Sequence, residues 1–213
     1  MEIRVNDEIF IRKTWNLDTD QTGWLKCMDD VRQSRHLAHT TLPMPYTKEF
    51  AIEQILENKK LCETQSENRE LCVKRFYLPI IFKNGKTDSR TQVIGGILIR
   101  PSELLENSFE SVEIGYAMDP DFQGKGLMSI CMKTFLKYAF QRFCKLSEIT
   151  AIISDENMAS LRMVKRLGFE RSYKFEPFVG KRHEKVLAIF DEKEELVGHG
   201  YSLKKKHFEK DIE

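Results

Sequence analysis

The stretch at 111–128, SVEIGYAMDPDFQGKGLM, constrains the fold of this chain more than any other. It runs from β-branched and aromatic residues, through Asp119-Pro120, into a turn where Gly124 and Gly126 bracket Lys125. Apolar residues at helical spacing follow. A strand that enters a helix through such a turn leaves several backbone N–H groups converging without partners, and the helix dipole adds positive potential at the same point. That arrangement holds an anion, most naturally a phosphate or pyrophosphate. The two glycines permit close backbone approach, and Lys125 can add a side-chain charge.

Two well-known phosphate loops fit poorly. A P-loop needs Gly-x-x-x-x-Gly-Lys-Ser/Thr, and here Gly126 is followed by Leu127. A dinucleotide fold needs Gly-x-Gly-x-x-Gly, and the third position is Ser129. A glycine turn with no ligand at all is the plain alternative.

The rest of the pattern is that of an α/β chain. Leu127, Ile130, Cys131, Thr134, Phe135, Tyr138 and Ala139 predict a helix over 125–143. EITAIIS at 148–154 predicts a buried strand. The helix after it is capped by Asp155 or Asn157, carries Leu161, Val164 and Leu167 as its stripe, and ends at Gly168. Upstream, CVKRFYLPIIF at 72–82 and TQVIGGILI at 91–99 predict two antiparallel strands joined across an Asn-Gly turn. An amphipathic helix over 47–60, with Thr47 as its cap, precedes them, and FIRKTW at 10–15 fits a first strand. Strands are also expected at FERSYKF (169–175) and KVLAIF (185–190). The chain is thus expected to be one domain, 1–213, with a core over about 9–191 and a polar, solvated tail over 192–213.

Composition narrows the function. With 34 Lys+Arg against 33 Asp+Glu, the net charge of +1 gives no electrostatic case for nucleic acid. No apolar stretch approaches the roughly 18–20 residues of a membrane span, so a cytoplasmic protein is expected. The five cysteines include no C-x-x-C and the five histidines no ligand spacing, so no metal is predicted and the cysteines are expected to be reduced and mostly packed.

The motif Q-G-K-G-L-M after a strand, followed by N-M-A-S-L-R-M-V-K-R-L-G-F, resembles the GNAT acetyltransferases. Their Gln/Arg-x-x-Gly-x-Gly/Ala signature is matched by Gln123 and Gly126, with Met128 at the usually small last position. Within that superfamily, VEIGYAMDPDFQGKG is similar to the branch holding the ribosomal-protein N-terminal acetyltransferases (RimJ/RimL-like). The resemblance implies the GNAT acyl-CoA N-acyltransferase fold, a mixed, mostly antiparallel sheet flanked by helices. A V-shaped opening is implied between the Glu113 strand and EITAIIS, with a bulge near Gly115 as one way to splay it.

Acetyl-CoA is the implied cosubstrate. Its pantetheine arm would pair with backbone near Ala117 and Met118, and its pyrophosphate would rest on Gln123, Gly124, Lys125, Gly126, Leu127 and Met128. Asn157 and Ser160 would face the arm. The implied reaction is acetyl transfer to a primary amine: a protein N-terminus, or a small molecule or polyamine. A catalytically degenerate acyl-CoA sensor is the other reading. An α-amine near pKa 7.7–8.0 is neutral roughly one time in ten at neutral pH and a lysine near 10.4 only about once in two thousand, so the α-amine is the easier acceptor.

Glu113 is the candidate base. It lies ten residues before Gln123 and by strand alternation shares a face with Gly115 and Ala117; the plain alternative is a carboxylate that orients substrate or solvates the strand. Many members carry a tyrosine as general acid on the helix after the asparagine, and here that position is Val164. Tyr116 and Tyr173 read as core or strand-surface residues. Glu103, Glu106 and Glu110 read as a solvated loop that could also draw in a cationic amine. Monomer and homodimer are both open.

Overall fold

The computed structural model describes residues 2–36, 45–65, 76–83, 91–101, 110–190 and 193–210. In chain order its elements are β1 (Glu2–Arg4), β2 (Ile9–Arg12), α1 (Leu17–Asp29), α2 (Val31–Ser34), α3 (Lys48–Gln65), β3 (Phe76–Lys83), β4 (Thr91–Pro101) and β5 (Ser111–Met118). A 3-10 turn at Pro120–Phe122 leads into α4 (Leu127–Arg142), β6 (Glu148–Ser154), α5 (Met158–Arg166), β7 (Glu170–Arg171), β8 (Phe178–Lys181), α6 (Glu184–Phe190), β9 (Glu195–Lys204) and α7 (Lys205–Lys210).

The nine strands among the described residues join one sheet in the order β1-β2-β3-β4-β5-β6-β9-β7, with β8 also on β9. Among the described strands only β5 and β6 pair in parallel. Helices cover both faces, which is why β4 reads as a continuous apolar run instead of alternating. On one face α1 and α3 bury Trp24, Cys27, Ala51 and Ile55 against Tyr77, Ile81 and Val93. On the other, α4 buries Cys131, Phe135 and Ala139, four residues apart, together with Met132, Leu136 and Phe140. Cys131 and Cys27 are buried, and burial pushes the Cys131 thiol up to about 12 and raises the Cys27 thiol as well, which favours the neutral thiol; Cys144 is exposed.

Several expectations hold in detail. The helix read over 125–143 is α4, EITAIIS is β6, and β3 and β4 pair antiparallel. Thr47 Oγ1 accepts from Phe50 N at 3.2 Å, as a cap of α3 should. The Asn-Gly turn, Glu103 and Glu106 lie outside the described residues.

Others are corrected. KVLAIF is helix α6, whose first turn rests on His183: its carbonyl accepts from Val186 N (2.9 Å) and its ring Nδ1 from Lys185 N (3.2 Å). FERSYKF is reduced to the two-residue β7. FIRKTW is only half strand, since β2 ends at Arg12. The tail read from 192 contains β9, a strand inside the sheet between β6 and β7. It looks polar because glycine does the packing. A Cβ on Gly198 would stand 2.8 Å from the Ile153 carbonyl oxygen, and one on Gly200 would stand 2.4 Å from Phe175 Cδ2. No bulge occurs at Gly115: the β4–β5 register runs unbroken from Gly95↔Met118 to Pro101↔Val112, and the irregularity lies between β3 and β4, where Ile80 pairs with Gly95 and Ile81 with Val93, leaving Ile94 of β4 as the extra residue.

Candidate active site

β5 and β6 pair only at Ser111–Glu113 with Glu148–Thr150. Beyond Glu113 the two strands part, so the stretch 114–118 has no ladder partner on its β6 side. The opening this creates is a cavity of about 840 Å³, walled by Gly115, Tyr116, Ala117 and Met118 on one side and by Ile152 and Ser154 on the other. Unpaired strand backbone facing a cleft is the feature that binds an extended ligand by strand addition.

The glycine turn stands at the wide end of this opening, braced from below. Asp119, fully buried, donates its N–H to Ile94 O (2.8 Å) and accepts from Asp121 N at 2.9 Å. The Lys26 ammonium of α1 sits between Asp119 (3.0 Å) and Asp121 (2.7 Å). Hydrogen bonding to Lys26, with a smaller pull from Arg32, holds the Asp121 carboxyl below its usual range. Gln123 Nε2 donates to Met118 O (2.8 Å) and to Gln33 Oε1 (3.0 Å), which ties the turn to β5 and α2.

Gly124 and Gly126 both have φ of +74°, the left-handed region that side chains resist. Gly126 is the N-cap residue of α4, and no side chain caps it. The N–H groups of that first helical turn are therefore available to an anion. A Cβ on either glycine would meet nothing within 4 Å, so the space above the turn is open.

The Lys125 ammonium donates to Asp121 O (3.0 Å) and lies over the Phe122 ring (5.3 Å), and Lys125 is not among the residues that line the cavity. Two arginines of α5, Arg162 and Arg166, line the cavity instead, and Arg166 Nη2 reaches Ser129 Oγ at 3.3 Å. Sequence reasoning missed them. The available signal was their four-residue spacing, which puts both on one face of the helix that follows β6.

Gly124, Gly126, Leu127, Met128, Asn157 and Ser160 all line the cavity, as do Ala117, Met118 and Gln123. Asn157 caps α5 by accepting from Ser160 N at 3.1 Å. Replacing it with alanine is expected to lower stability by about 1 kcal/mol in a thermal or urea melt. Asn157→Asp keeps the cap acceptor and loses the amide donor, so any acetyl-CoA affinity it loses beyond the melt measures a ligand contact.

Tyr116 lines the cavity beside Ser160; burial pushes its hydroxyl up to about 12 although Ser160 pulls the other way, so the phenol stays neutral. Val164 is buried in the core.

The structure does not bring Glu113 to the cavity. Its carboxylate, 6% exposed, sits where the two strands are still paired, and Arg100 of β4 meets it at 2.5 Å as its cross-strand partner. The side chain is held by a structural ion pair at the closed end of the V.

The other side of the opening is bridged by α2. Gln33 ties it to Gln123 on the β5 side. The Arg35 carbonyl, at its C-terminal end, accepts from Arg182 Nε (3.2 Å), and Arg182 also bonds Glu156 in the turn after β6. α6 packs on α2, and Arg35 stands over the Phe190 ring at 4.8 Å. The cavity therefore runs from the glycine turn, between α4 and α5, to the underside of α2 and α6.

The Acetyltransferase (GNAT) domain family profile matches residues 9–170, most of the chain. The chain belongs to the GNAT acetyltransferase family. A probable N-acetyltransferase, YjcK of Bacillus subtilis (strain 168), is 24% identical over 110 residues, 52% of this chain and 56% of that protein. The chain thus matches little more than half the length of that relative. Two solved structures share the fold. The RimL ribosomal α-N-protein acetyltransferase in complex with coenzyme A has a TM-score of 0.64 at 15% identity, over 96% of this chain and 98% of that one. The spermidine N-acetyltransferase of Vibrio cholerae, in complex with CoA and spermine, has a TM-score of 0.63 at 14% identity, over 95% and 99%. Among the described residues no helix is long and apolar enough to cross a membrane.

Proposed function

We propose that this GNAT chain works as a single domain that binds acetyl-CoA in the β5–β6 opening and transfers its acetyl group to a primary amine, preferentially an α-amine. The observation that carries this reading is the continuity of one cavity, from an uncapped glycine turn suited to pyrophosphate, along unpaired β5 backbone suited to pantetheine, to a far end lined by residues of α2 and α6. The neutral amine nitrogen would add to the thioester carbonyl, forming the new C–N bond and an oxyanion that backbone N–H groups near Met118 would steady; collapse of this intermediate would then break the C–S bond and release the CoA thiolate, the proton lost by the nitrogen passing to the thiolate or to water.

Among the described residues no carboxylate lines the cavity and His36 is its one imidazole, and an α-amine needs little help, being already neutral roughly one time in ten. Glu113 is assigned to orientation of β5 through Arg100. Glu113→Gln is therefore expected to lower turnover less than about tenfold, where loss of a general base removes about 100-fold or more. A second reading, an acyl-CoA-binding protein without turnover, is favoured by the same two facts, the Arg100–Glu113 pair and the core position of Val164.

Calorimetric titration with acetyl-CoA, with dephospho-CoA and ATP as controls, followed by thiol release with peptide amines, separates the readings. Saturable acetyl-CoA binding with thiol release supports the transferase. Binding without release under every acceptor supports the sensor, and no binding near millimolar acetyl-CoA removes both.

A further inference from the structure

Two arginines enter the cavity from one face of α5. Arg162 and Arg166 are four residues apart, and both line the cavity. Arg166 Nη2 reaches Ser129 Oγ at 3.3 Å, in the first turn of α4 and three residues past its N-cap Gly126. Arg166 alone would have an ordinary explanation: a cation in the last turn of a helix complements its dipole, and Lys165 stands in the same turn. Arg162 sits in the middle of α5 and gains nothing from the helix end. Like charges at this spacing repel and weaken the helix that carries them. An anion held between the two guanidinium groups turns that cost into binding.

The chemistry of the pair says which anion. The phosphates of a pyrophosphate bridge carry one charge each, and backbone N–H groups at the uncapped start of α4 suffice to receive them. A phosphate monoester is different, with a charge near −2 at neutral pH and three terminal oxygens. Two guanidinium groups match that charge, and their planar forks match those oxygens. Coenzyme A carries one such group, the 3′-phosphate of its ribose, one sugar away from the pyrophosphate. Both arginines are exposed, as residues that meet the outer end of a cofactor should be.

Resting on the acetyl-CoA reading, we infer that Arg162 and Arg166 form a second phosphate site, separate from the glycine turn, that holds the 3′-phosphate and selects 3′-phosphorylated CoA over donors that share its pantetheine and lack that group.

The test is calorimetry of the full chain with CoA and with dephospho-CoA, two ligands that differ only in the 3′-phosphate. Thiol release from acetyl-CoA and acetyl-dephospho-CoA, with a peptide amine as acceptor, is the second readout. CoA is expected to bind at least about tenfold more tightly than dephospho-CoA, the scale of a charge-assisted contact. Arg162→Gln and Arg166→Gln should each lower that ratio about threefold or more by weakening CoA alone, and the double variant should bring it near one. Lys165→Gln is the control: it removes the same charge from the same helix end but does not line the cavity, so the ratio should stay within about twofold. All three side chains are exposed, so the variants should keep the fold.

Equal binding of CoA and dephospho-CoA by the native chain overturns the inference. So does an equal loss for both ligands in the arginine variants, which would place the pair on the pyrophosphate, or a loss as large in Lys165→Gln. The two levels fail separately. Selective CoA binding without thiol release upholds this inference and removes the transferase reading. Thiol release with equal kcat/KM from both acetyl donors does the reverse, and binding of neither ligand overturns both.

Discussion

Gly126→Val is expected to weaken acetyl-CoA binding at least about 100-fold, while lowering stability by only about 1–2 kcal/mol, the typical penalty for a side chain held in the left-handed region. At φ +74° a β-branched residue is strained, and the chain relieves that strain by rotating the peptide groups that start α4. Those groups are the proposed anion cradle. The body of α4 stays anchored through Phe135, Leu136 and Phe140, so the loss concentrates in binding. Gly168 supplies the control. It has φ of +84°, follows α5 and does not line the cavity. Gly168→Val should therefore lower the melting temperature by a similar amount and leave the calorimetric affinity within about threefold, the spread that indirect effects usually produce. Near-native affinity in Gly126→Val would sink the assignment of the turn as the pyrophosphate site.

The strand–turn–helix at 111–142 was legible in the sequence because every local signal agreed there: β-branched residues, then Asp119-Pro120, then paired glycines, then a helical apolar stripe. The cap of α5 was legible to within two residues, Asp155 or Asn157, since side-chain capping is a short-range event, and the structure selects Asn157. β9 was not, because its burial depends on the close approach of Gly198 and Gly200 to Ile153 and Phe175, and neither glycine adds to a hydrophobic pattern. The state of Glu113 was hidden by register. Its partner, Arg100, is 13 residues earlier and becomes a neighbour only once β4 and β5 are paired in the observed alignment. The placement of Lys125 could not be read from its spacing, because Asp121 O and Phe122 lie within its own reach and hold its ammonium. Arg35, Phe190 and Arg182, on the α2 and α6 side of the cavity, come from three separate elements or loops, and only the tertiary fold assembles them.

Arg182→Met is expected to cost about 3–5 kcal/mol of unfolding free energy, the range for removing one member of a buried ion pair and its hydrogen bonds. The Arg182 side chain has no solvent exposure and donates to four acceptors: the carbonyls of Arg35, Lys193 and Glu195, and the Glu156 carboxylate. Glu156 is half exposed, so water recovers most of its share. The three carbonyls make up the larger part, each costing about 1–3 kcal/mol if left dry and unpaired. Methionine fills the volume and restores none of those bonds. Lysine does little better, because a single ammonium cannot serve acceptors spread around a planar guanidinium. The same contacts join the end of α2, the start of β9 and the turn after β6, so the α2 and α6 side of the cavity should loosen before the glycine turn does. Urea unfolding should show the stability loss in both Arg182→Met and Arg182→Lys. Thiol-release kinetics on the surviving fold should show acceptor KM rising about tenfold or more while acetyl-CoA affinity moves far less, since the cradle is braced separately by Lys26, Asp119 and Gln123. If both variants unfold like the native chain and keep its acceptor KM, then α2 and α6 are held by other contacts, and Arg182 does not organise the acceptor side.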